Sequence, residues 1–202
     1  MKEKQFAPAT ERNREPILEV LQEVLPATGT VLEIASGTGE HAVYFAPRLK
    51  PRSWLPSEPN PILRESILAW EEEFPCDSLY PPLAIDVQAD DPWLKPNQDI
   101  SAIVCINLIH IAPWQACEGL MQGAGELLPQ GGVLYLYGPL KREGVHTAES
   151  NAQFDLSLQQ QNPQWGVRDL EAVVSLAQTH QLELQDVIPM PANNFSVVFS
   201  HQ

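Results

Sequence analysis

The stretch that decides the fold is VLEIASGTGEHAVYFA, which runs from Val31 to Ala46. It begins with an apolar run, continues with Gly37-Thr38-Gly39, and ends with apolar residues at helical spacing. This order predicts a strand, a tight turn and the start of a helix. In an α/β sheet such a turn lies beyond the carboxyl end of its strand, where glycine lets a ligand approach the backbone. The stretch therefore predicts a cofactor site.

Apolar runs alternate with helical patterns along the rest of the chain. The segments EPILEVLQEVL and NPILRESILAW predict helices, with Pro16 near the start of the first and Asn60 as the N-cap of the second. Four runs rich in branched residues, TVLEIA, LAIDV, SAIVCINLI and GVLYLYG, predict buried parallel strands. Near the end, LELQDVIPM and FSVVFSH predict a hairpin joined at PANN. The sequence thus predicts an α/β fold with an open parallel sheet and a final antiparallel strand.

Length and composition limit the class of protein. The chain has 202 residues, of which 44% are hydrophobic, so we expect one domain over residues 1–202. It has no run of about 18 apolar residues, and MKEKQFAPAT lacks the apolar middle of a signal peptide, which predicts a cytoplasmic protein. Cys76, Cys105 and Cys117 show no metal-ligand spacing, so no metal site is predicted.

The charge of the chain narrows the class of partner. Its net charge is -14, with 26 acidic and 12 basic residues, and the basic residues are scattered. A protein that binds nucleic acid or an anionic membrane needs clustered lysine and arginine, so neither partner is expected. A small-molecule substrate is favoured, and the oligomeric state stays open.

Two adenine cofactors fit the glycines. The segment Gly37–Ala42 satisfies the G-x-G-x-x-G/A pattern of NAD-binding proteins, and Glu58 follows at about the ~20-residue distance of a ribose-binding acid. However, Glu33 lies inside the first strand, where we expect it to pair with a cationic ligand group or a backbone donor. Asp86 is the next-to-last residue of LAIDV, where its carboxylate can accept from the adenine amine. These acids favour S-adenosylmethionine, while an ordinary strand-to-helix turn remains the alternative.

The chain resembles the class I S-adenosylmethionine-dependent methyltransferases over nearly its whole length. The pattern Glu33-x-Ala35-x-Gly37-x-Gly39 is similar to the first motif of that superfamily, with Ala35 in place of the usual first glycine. Longer strings resemble the family that contains methyltransferase-like protein twenty-six: ERNREPIL, SGTGEHAVYFA, NLIHIAPW, LYGPLKREG, TAESNAQFDLSL, WGVRDLEAV and MPANNFS. The resemblance implies a doubly wound, seven-stranded, mostly parallel sheet, S-adenosyl-L-methionine as the cofactor, and methyltransferase activity on an acceptor that it does not name.

The resemblance also assigns residues to the cofactor. It implies that Gly37 and Gly39 lie against it, that Glu58 binds the ribose hydroxyls, and that Asp86 and Val87 lie near adenine. We expect Gly39→Val to block this approach and the helix after Arg12 and Asn13 to cap the pocket. The predicted cofactor-binding set is Arg12, Asn13, Glu33, Ala35, Gly37, Gly39, Glu58, Asp86, Val87 and Asn107.

The acceptor side is predicted from the end of the strand run SAIVCINLI, at Asn107, and from the polar connection from Lys141 to Trp165. The sequence Asn107-Leu108-Ile109-His110 lacks the Asn/Asp-Pro-Pro-aromatic motif, which disfavours nucleobase methylation. His110 is the leading candidate for the base, since an ordinary pKa of about 6.5 suits proton transfer; a structural role is the alternative. Asp155 is the second catalytic candidate and His146 a weaker one. The predicted substrate-binding set is Tyr137, Ser150, Asn151, Phe154, Trp165 and Arg168.

Three classes of function remain open at this point. The first is a methyltransferase that acts on a small molecule, and the second is a non-catalytic cofactor-binding module that serves as a sensor or partner protein. The third, a dehydrogenase, is disfavoured by Glu33 and Asp86. Binding of NAD would separate the dehydrogenase from the other two.

Overall fold

The computed structural model describes residues 3–89, 93 and 98–202 of the chain. Contacts between residues divide it into two compact units. The first unit comprises the described residues of Met1–Asp86 and Trp93–Cys105, and the second comprises those of Val87–Pro92 and Ile106–Gln202. The single domain expected over residues 1–202 stays a prediction.

The first unit is an α/β arrangement around a central buried strand. Its elements are α1 (Pro8–Val24), β1 (Thr30–Ile34), α2 (Glu40–Phe45), β2 (Ser53–Pro56), α3 (Pro61–Glu73) and β3 (Ile100–Ile106), whose last residue belongs to the second unit. β1 pairs in parallel with both β2 and β3. All five of its residues are buried, as expected for a strand covered on both faces.

The predicted strand LAIDV, residues 83–87, does not form a regular strand. Leu83 makes an isolated parallel bridge with Ser57, just beyond the end of β2. Pro81 and Pro82 precede it, and proline has no N–H to donate to a sheet ladder, so regular pairing is interrupted here. Among the described residues of the first unit, the parallel strands are therefore β2, β1 and β3, without a strand at LAIDV, where the family resemblance implies a seven-stranded sheet.

The second unit contains the antiparallel end of the fold. Its further elements are α4 (Trp114–Leu127), β4 (Val133–Gly138), β5 (Leu140–Arg142), β6 (Val145–His146), α5 (Glu149–Gln161), β7 (Arg168–Asp169), α6 (Leu170–Thr179), β8 (Leu182–Met190) and β9 (Asn194–His201). β9 pairs in antiparallel fashion with β4 and β8, which confirms the predicted hairpin. The polar connection from Lys141 to Trp165 forms β5, β6 and α5, and β5 pairs with both β6 and β7. None of the described helices is long and apolar enough to cross a membrane.

Candidate functional site

The turn after β1, which we call the glycine turn (Ala35–Gly39), has three residues in the left-handed region. Ala35 has a φ of 55°, Gly37 of 55° and Gly39 of 93°. Only glycine adopts this region without penalty, and an L-residue there costs about 1–2 kcal/mol. Ala35 thus keeps the backbone shape expected of a glycine at the first position of the motif, although it carries a Cβ.

The surroundings of the two glycines of the turn differ. A Cβ on Gly39 would lie 2.8 Å from the Cα of Ile67 in α3, so this glycine is required by helix packing. A Cβ on Gly37 would meet no heavy atom of the described residues within 4 Å. The expectation that Gly39→Val tests the approach of a cofactor therefore needs correction, because that variant would disturb α3. Gly37 is the glycine beside open space.

Glu58 joins the glycine turn to the end of β2. Its Oε2 accepts the N–H of Gly37 at 3.0 Å, and its Oε1 accepts the N–H of Asn60 at 3.1 Å. Burial raises the pKa of the Glu58 carboxyl above its ordinary value, and the two backbone hydrogen bonds oppose that shift. A carboxylate has about four lone-pair sites, so each oxygen keeps one for a further donor. The two carboxylate oxygens of Glu58 could therefore accept hydrogen bonds from two neighbouring hydroxyl groups of a ligand.

Glu33 has a different partner from the one the sequence predicts. Its Oε2 accepts the indole N–H of Trp54 at 3.0 Å, and the residue is only 1% exposed. The predicted cationic ligand group or backbone donor is thus replaced by a side chain from β2. Burial raises the pKa of Glu33 to about 7. Glu33 holds β1 and β2 together beneath the glycine turn.

The predicted cap over the cofactor is attached through Asn13. Its Oδ1 lies 2.8 Å from Nε2 of His41, and both side chains are buried. Burial lowers the pKa of His41 to about 3, and Arg14 adds to the shift, so the imidazole is neutral at pH 7. This pair ties α1 to α2, which begins directly after the glycine turn. Arg12 and Asp86 are exposed, and their contacts with a cofactor stay predictions.

The second unit contains the two remaining residues of the predicted cofactor set. The carbonyl oxygen of Val87 lies 1.7 Å from the position that a Cβ on Gly119 would take, so α4 is in close contact with this residue. Asn107 directly follows β3 with a φ of 60°, and its N–H donates to the carbonyl of Tyr137 at 2.9 Å. Asparagine tolerates this conformation better than most residues do. The hydrogen bond to Tyr137 holds the backbone of Asn107 near the end of β4.

His110 lies in a tight enclosure within the second unit. Its ring is 3% exposed and contacts the Phe154 ring edge-on, with centroids 5.7 Å apart. A Cβ on Gly138 would be 3.1 Å from the imidazole, so that glycine makes room for the ring. Burial lowers the pKa of His110 to about 4, with a contribution from Arg168, and Nδ1 has no hydrogen-bond partner among the described residues. The imidazole is therefore neutral at pH 7 and a weaker base than the sequence predicts.

Asp155 contacts four groups within the second unit. Its Oδ2 contacts Lys141 Nζ at 2.9 Å and His146 Nε2 at 3.1 Å, and its Oδ1 accepts from Gln159 at 3.1 Å and from the N–H of Val167 at 2.7 Å. Burial raises its pKa, but the hydrogen bonds from Lys141, Val167 and Gln159 outweigh that and lower it. A paired carboxylate with a low pKa is a poor proton acceptor. Its contacts instead suit a residue that positions β5, β6 and α5.

The predicted substrate residues fall into separate groups. Phe154 faces His110, and the N–H of Gly166, next to Trp165, donates to the His110 carbonyl at 3.0 Å. Arg168 donates to the backbone carbonyls of Ile109, Ala112 and Gln164, so it clamps the loop that carries His110. Ser150 and Asn151 contact Asn193 instead. Sequence reasoning missed Trp54, Gly138 and Asn193.

The comparison with known families matches almost the whole chain. The family model described as "Protein of unknown function (DUF938)" covers residues 4–201. The chain belongs to the DUF938 family. The family description names no activity.

Solved structures show which fold this DUF938 protein has. The O-methyltransferase family 2 protein of Planctomyces limnophilus, in complex with apigenin, matches with a TM-score of 0.78 at 19% identity, over 96% of this chain and 60% of that one. An O-methyltransferase family protein of Burkholderia thailandensis matches with a TM-score of 0.80 at 13% identity, over 96% and 57%. Human N-acetylserotonin methyltransferase, in complex with SAM, gives 0.75 at 14% identity, over 96% and 52%.

These matches confirm the predicted fold class. At such low identity they show the fold alone, the Rossmann-like arrangement of class I methyltransferases. The DUF938 chain spans between 52% and 60% of the length of these three proteins.

The hydrogen bonds of Asp155 predict a loss of stability in Asp155→Asn. Hydrogen bonds to a charged group contribute about 1.5–3 kcal/mol each, so we expect the free energy of unfolding at pH 7 to fall by at least about 2 kcal/mol. Because the folded-state pKa is lowered, this stabilisation is present above the ordinary pKa of 3.8 and is lost as the pH falls through the folded-state value. Urea unfolding of both proteins at pH 7 and near pH 3 measures the difference.

Asp186→Asn is the matched control for that measurement. Asp186 is an exposed carboxylate on β8 that accepts the N–H of Val187 at 2.8 Å. We expect its free energy of unfolding to stay within about 0.5 kcal/mol of the wild type, as is usual for surface changes. Equal unfolding curves for the two variants at pH 7 would contradict the assigned role of Asp155.

Proposed function

We propose that this DUF938 protein is an S-adenosylmethionine-dependent methyltransferase with a small-molecule acceptor. The observation that carries the proposal is the glycine turn: Gly37 faces open space, and its N–H is held by the carboxylate of Glu58. A backbone that a ligand can approach, beside an acid with free lone pairs, suits the ribose of an adenosine. The methyltransferase fold of the solved neighbours agrees with this interpretation.

The residues of the first unit fit the cofactor by their chemistry. Glu58 would accept from the ribose hydroxyls, and Asp86, an exposed acid within the interrupted segment 83–87, would accept from the adenine amine. Ala35 and Gly37 would present their left-handed backbone to the ligand. Glu33 supports the turn through Trp54. When bound, S-adenosylmethionine supplies an electrophilic methyl group.

The second unit supplies the side chains proposed for the acceptor. His110 is neutral at pH 7, and its unpartnered Nδ1 can accept a proton from a hydroxyl acceptor. Phe154 would keep water from this nitrogen, and Asp155 and Arg168 hold the surrounding segments. The Planctomyces limnophilus neighbour is an O-methyltransferase family protein in complex with apigenin. Because an O-methyltransferase transfers a methyl group to oxygen, this likeness favours a hydroxyl-bearing acceptor here. The proposal includes a place in the methyltransferase-like protein twenty-six family and a cytoplasmic location.

Calorimetric titration with S-adenosylhomocysteine and with NAD tests the cofactor assignment directly. We expect S-adenosylhomocysteine to bind with a dissociation constant between about 1 µM and 1 mM, the usual range of KM values for substrates. NAD should bind at least about tenfold more weakly, a difference of about 1.4 kcal/mol. Binding of NAD with the higher affinity would overturn the proposal in favour of a dehydrogenase.

A further inference from the structure

A cavity of about 250 Å³ lies in the first unit, among the side chains of α1, α2 and α3. The residues that matter here are Arg14, Glu40, Tyr44, Arg48, Trp70 and Phe74. None of these six belongs to the predicted cofactor-binding set. The cavity is therefore a feature that the proposed function does not use.

Two arginines supply positive charge to this cavity. The guanidinium carbon of Arg14 lies 4.6 Å from the centroid of the Tyr44 ring, and that of Arg48 lies 3.9 Å from it. Within residues 3–89, 93 and 98–202 neither arginine forms an ion pair, and Nε of Arg14 is buried without a hydrogen-bond partner. Both guanidinium groups are therefore able to pair with a bound anion.

Aromatic side chains also line the cavity. The rings of Trp70 and Phe74 are stacked, with centroids 5.8 Å apart and planes at 24°, and Phe74 is 50% exposed. Glu40 is the acidic member of the lining, but its Oε2 already accepts from the N–H of Ala7 and the hydroxyl of Thr38. Aromatic faces beside fixed polar groups are typical of sites for small organic ligands.

We infer that this cavity binds a small anion with an aromatic body, either an aryl carboxylate or an aryl phosphate. The guanidinium groups of Arg14 and Arg48 would bind the anionic group, since arginine matches the geometry of both carboxylate and phosphate. Trp70 and Phe74 would contact the ring. The volume equals that of about eight liquid waters, which limits the ligand to about a single ring. The inference does not depend on the proposed methyltransferase activity.

Nuclear magnetic resonance of the tryptophan indole N–H groups tests the inference on the intact chain. The indole N–H of Trp70 donates to the carbonyl of Gln5 at 3.1 Å, and Trp70→Phe identifies its signal. Benzoate, phenyl phosphate and the neutral benzyl alcohol are titrated separately. We expect at least one anion to shift the Trp70 signal with an affinity at least ~10-fold above that of the alcohol, and the stronger anion identifies the ligand class. Equal binding of the alcohol, or no shift with any probe, would overturn the inference.

Variants that remove the positive charge of the cavity arginines test the same inference. Arg14→Gln and Arg48→Gln should each weaken binding of the preferred anion at least ~10-fold. Arg142→Gln is the matched control, because Arg142 is an exposed arginine of the second unit that pairs with Glu171. A well-dispersed spectrum establishes that each variant is folded. Unchanged affinity in both cavity variants would refute the site.

Discussion

Replacing Gly37 with asparagine is expected to lower the affinity for S-adenosylmethionine at least ~100-fold, which corresponds to about 2.8 kcal/mol. A Cβ at this position points into open space, and asparagine adopts a φ near 55° more readily than other side chains do. The variant should therefore fold normally while its side chain fills the space proposed for the ligand. Calorimetric titration measures the affinity, and thermal unfolding measures the stability.

Gly131→Asn is the matched control for Gly37→Asn. Gly131 also has a left-handed backbone, with a φ of 76°, and in the part of the chain that the structure describes a Cβ there would meet no heavy atom within 4 Å. The two variants should lose similar stability, but only Gly37→Asn should lose affinity. Gly39→Val is less informative, because its contact with Ile67 predicts a loss of folding and binding together. Wild-type affinity in a folded Gly37→Asn protein would remove the glycine turn from the cofactor site.

The fold was predictable where local sequence rules decide the structure. Asn60 does cap α3, since its side chain accepts the N–H of Ile62 at 2.9 Å, and Pro61 follows at the start of the helix. α1 begins at Pro8, earlier than predicted. The prediction missed this start because the polar segment before Pro16 has no apolar residues at helical spacing. In α5 the buried positions are Asn151, Asp155 and Leu158, which have helical spacing but are mostly polar. A hydrophobic pattern could not reveal that helix.

The candidate site was predictable only in part, for a related reason. The hydrogen bond between Glu58 and Gly37 agrees with their motif spacing, because the carboxyl ends of adjacent parallel strands meet at one edge of a sheet. The contact of Glu33 with Trp54 depends on strand register, which the sequence does not give. The lowered pKa of His110 depends on burial by residues distant along the chain. Environment, unlike residue type, has to be read from the folded structure.

His110→Ala is expected to reduce methyl transfer at least ~100-fold at pH 7, the usual contribution of a general base. The test requires an acceptor, which a screen of hydroxyl-bearing metabolites for methyl transfer would supply. Affinity for S-adenosylmethionine should stay nearly unchanged. His180→Ala is the control, because His180 lies at the C-cap of α6. Normal turnover in His110→Ala would exclude His110 as the base and favour an acceptor that is already deprotonated in solution.

The pH dependence of His110 provides a second measurement that needs no acceptor. Its folded-state pKa of about 4 lies below the ordinary 6.5, so the unfolded chain binds this proton first. The stability from the buried neutral ring is fully present above pH 6.5 and is lost as the pH falls through 4, by up to about 3 kcal/mol. In His110→Ala this part of the acid sensitivity should disappear, while that of His41 remains. Urea unfolding at pH 7 and pH 4 measures it, and an equal loss in both proteins would mean that the imidazole is accessible to protons.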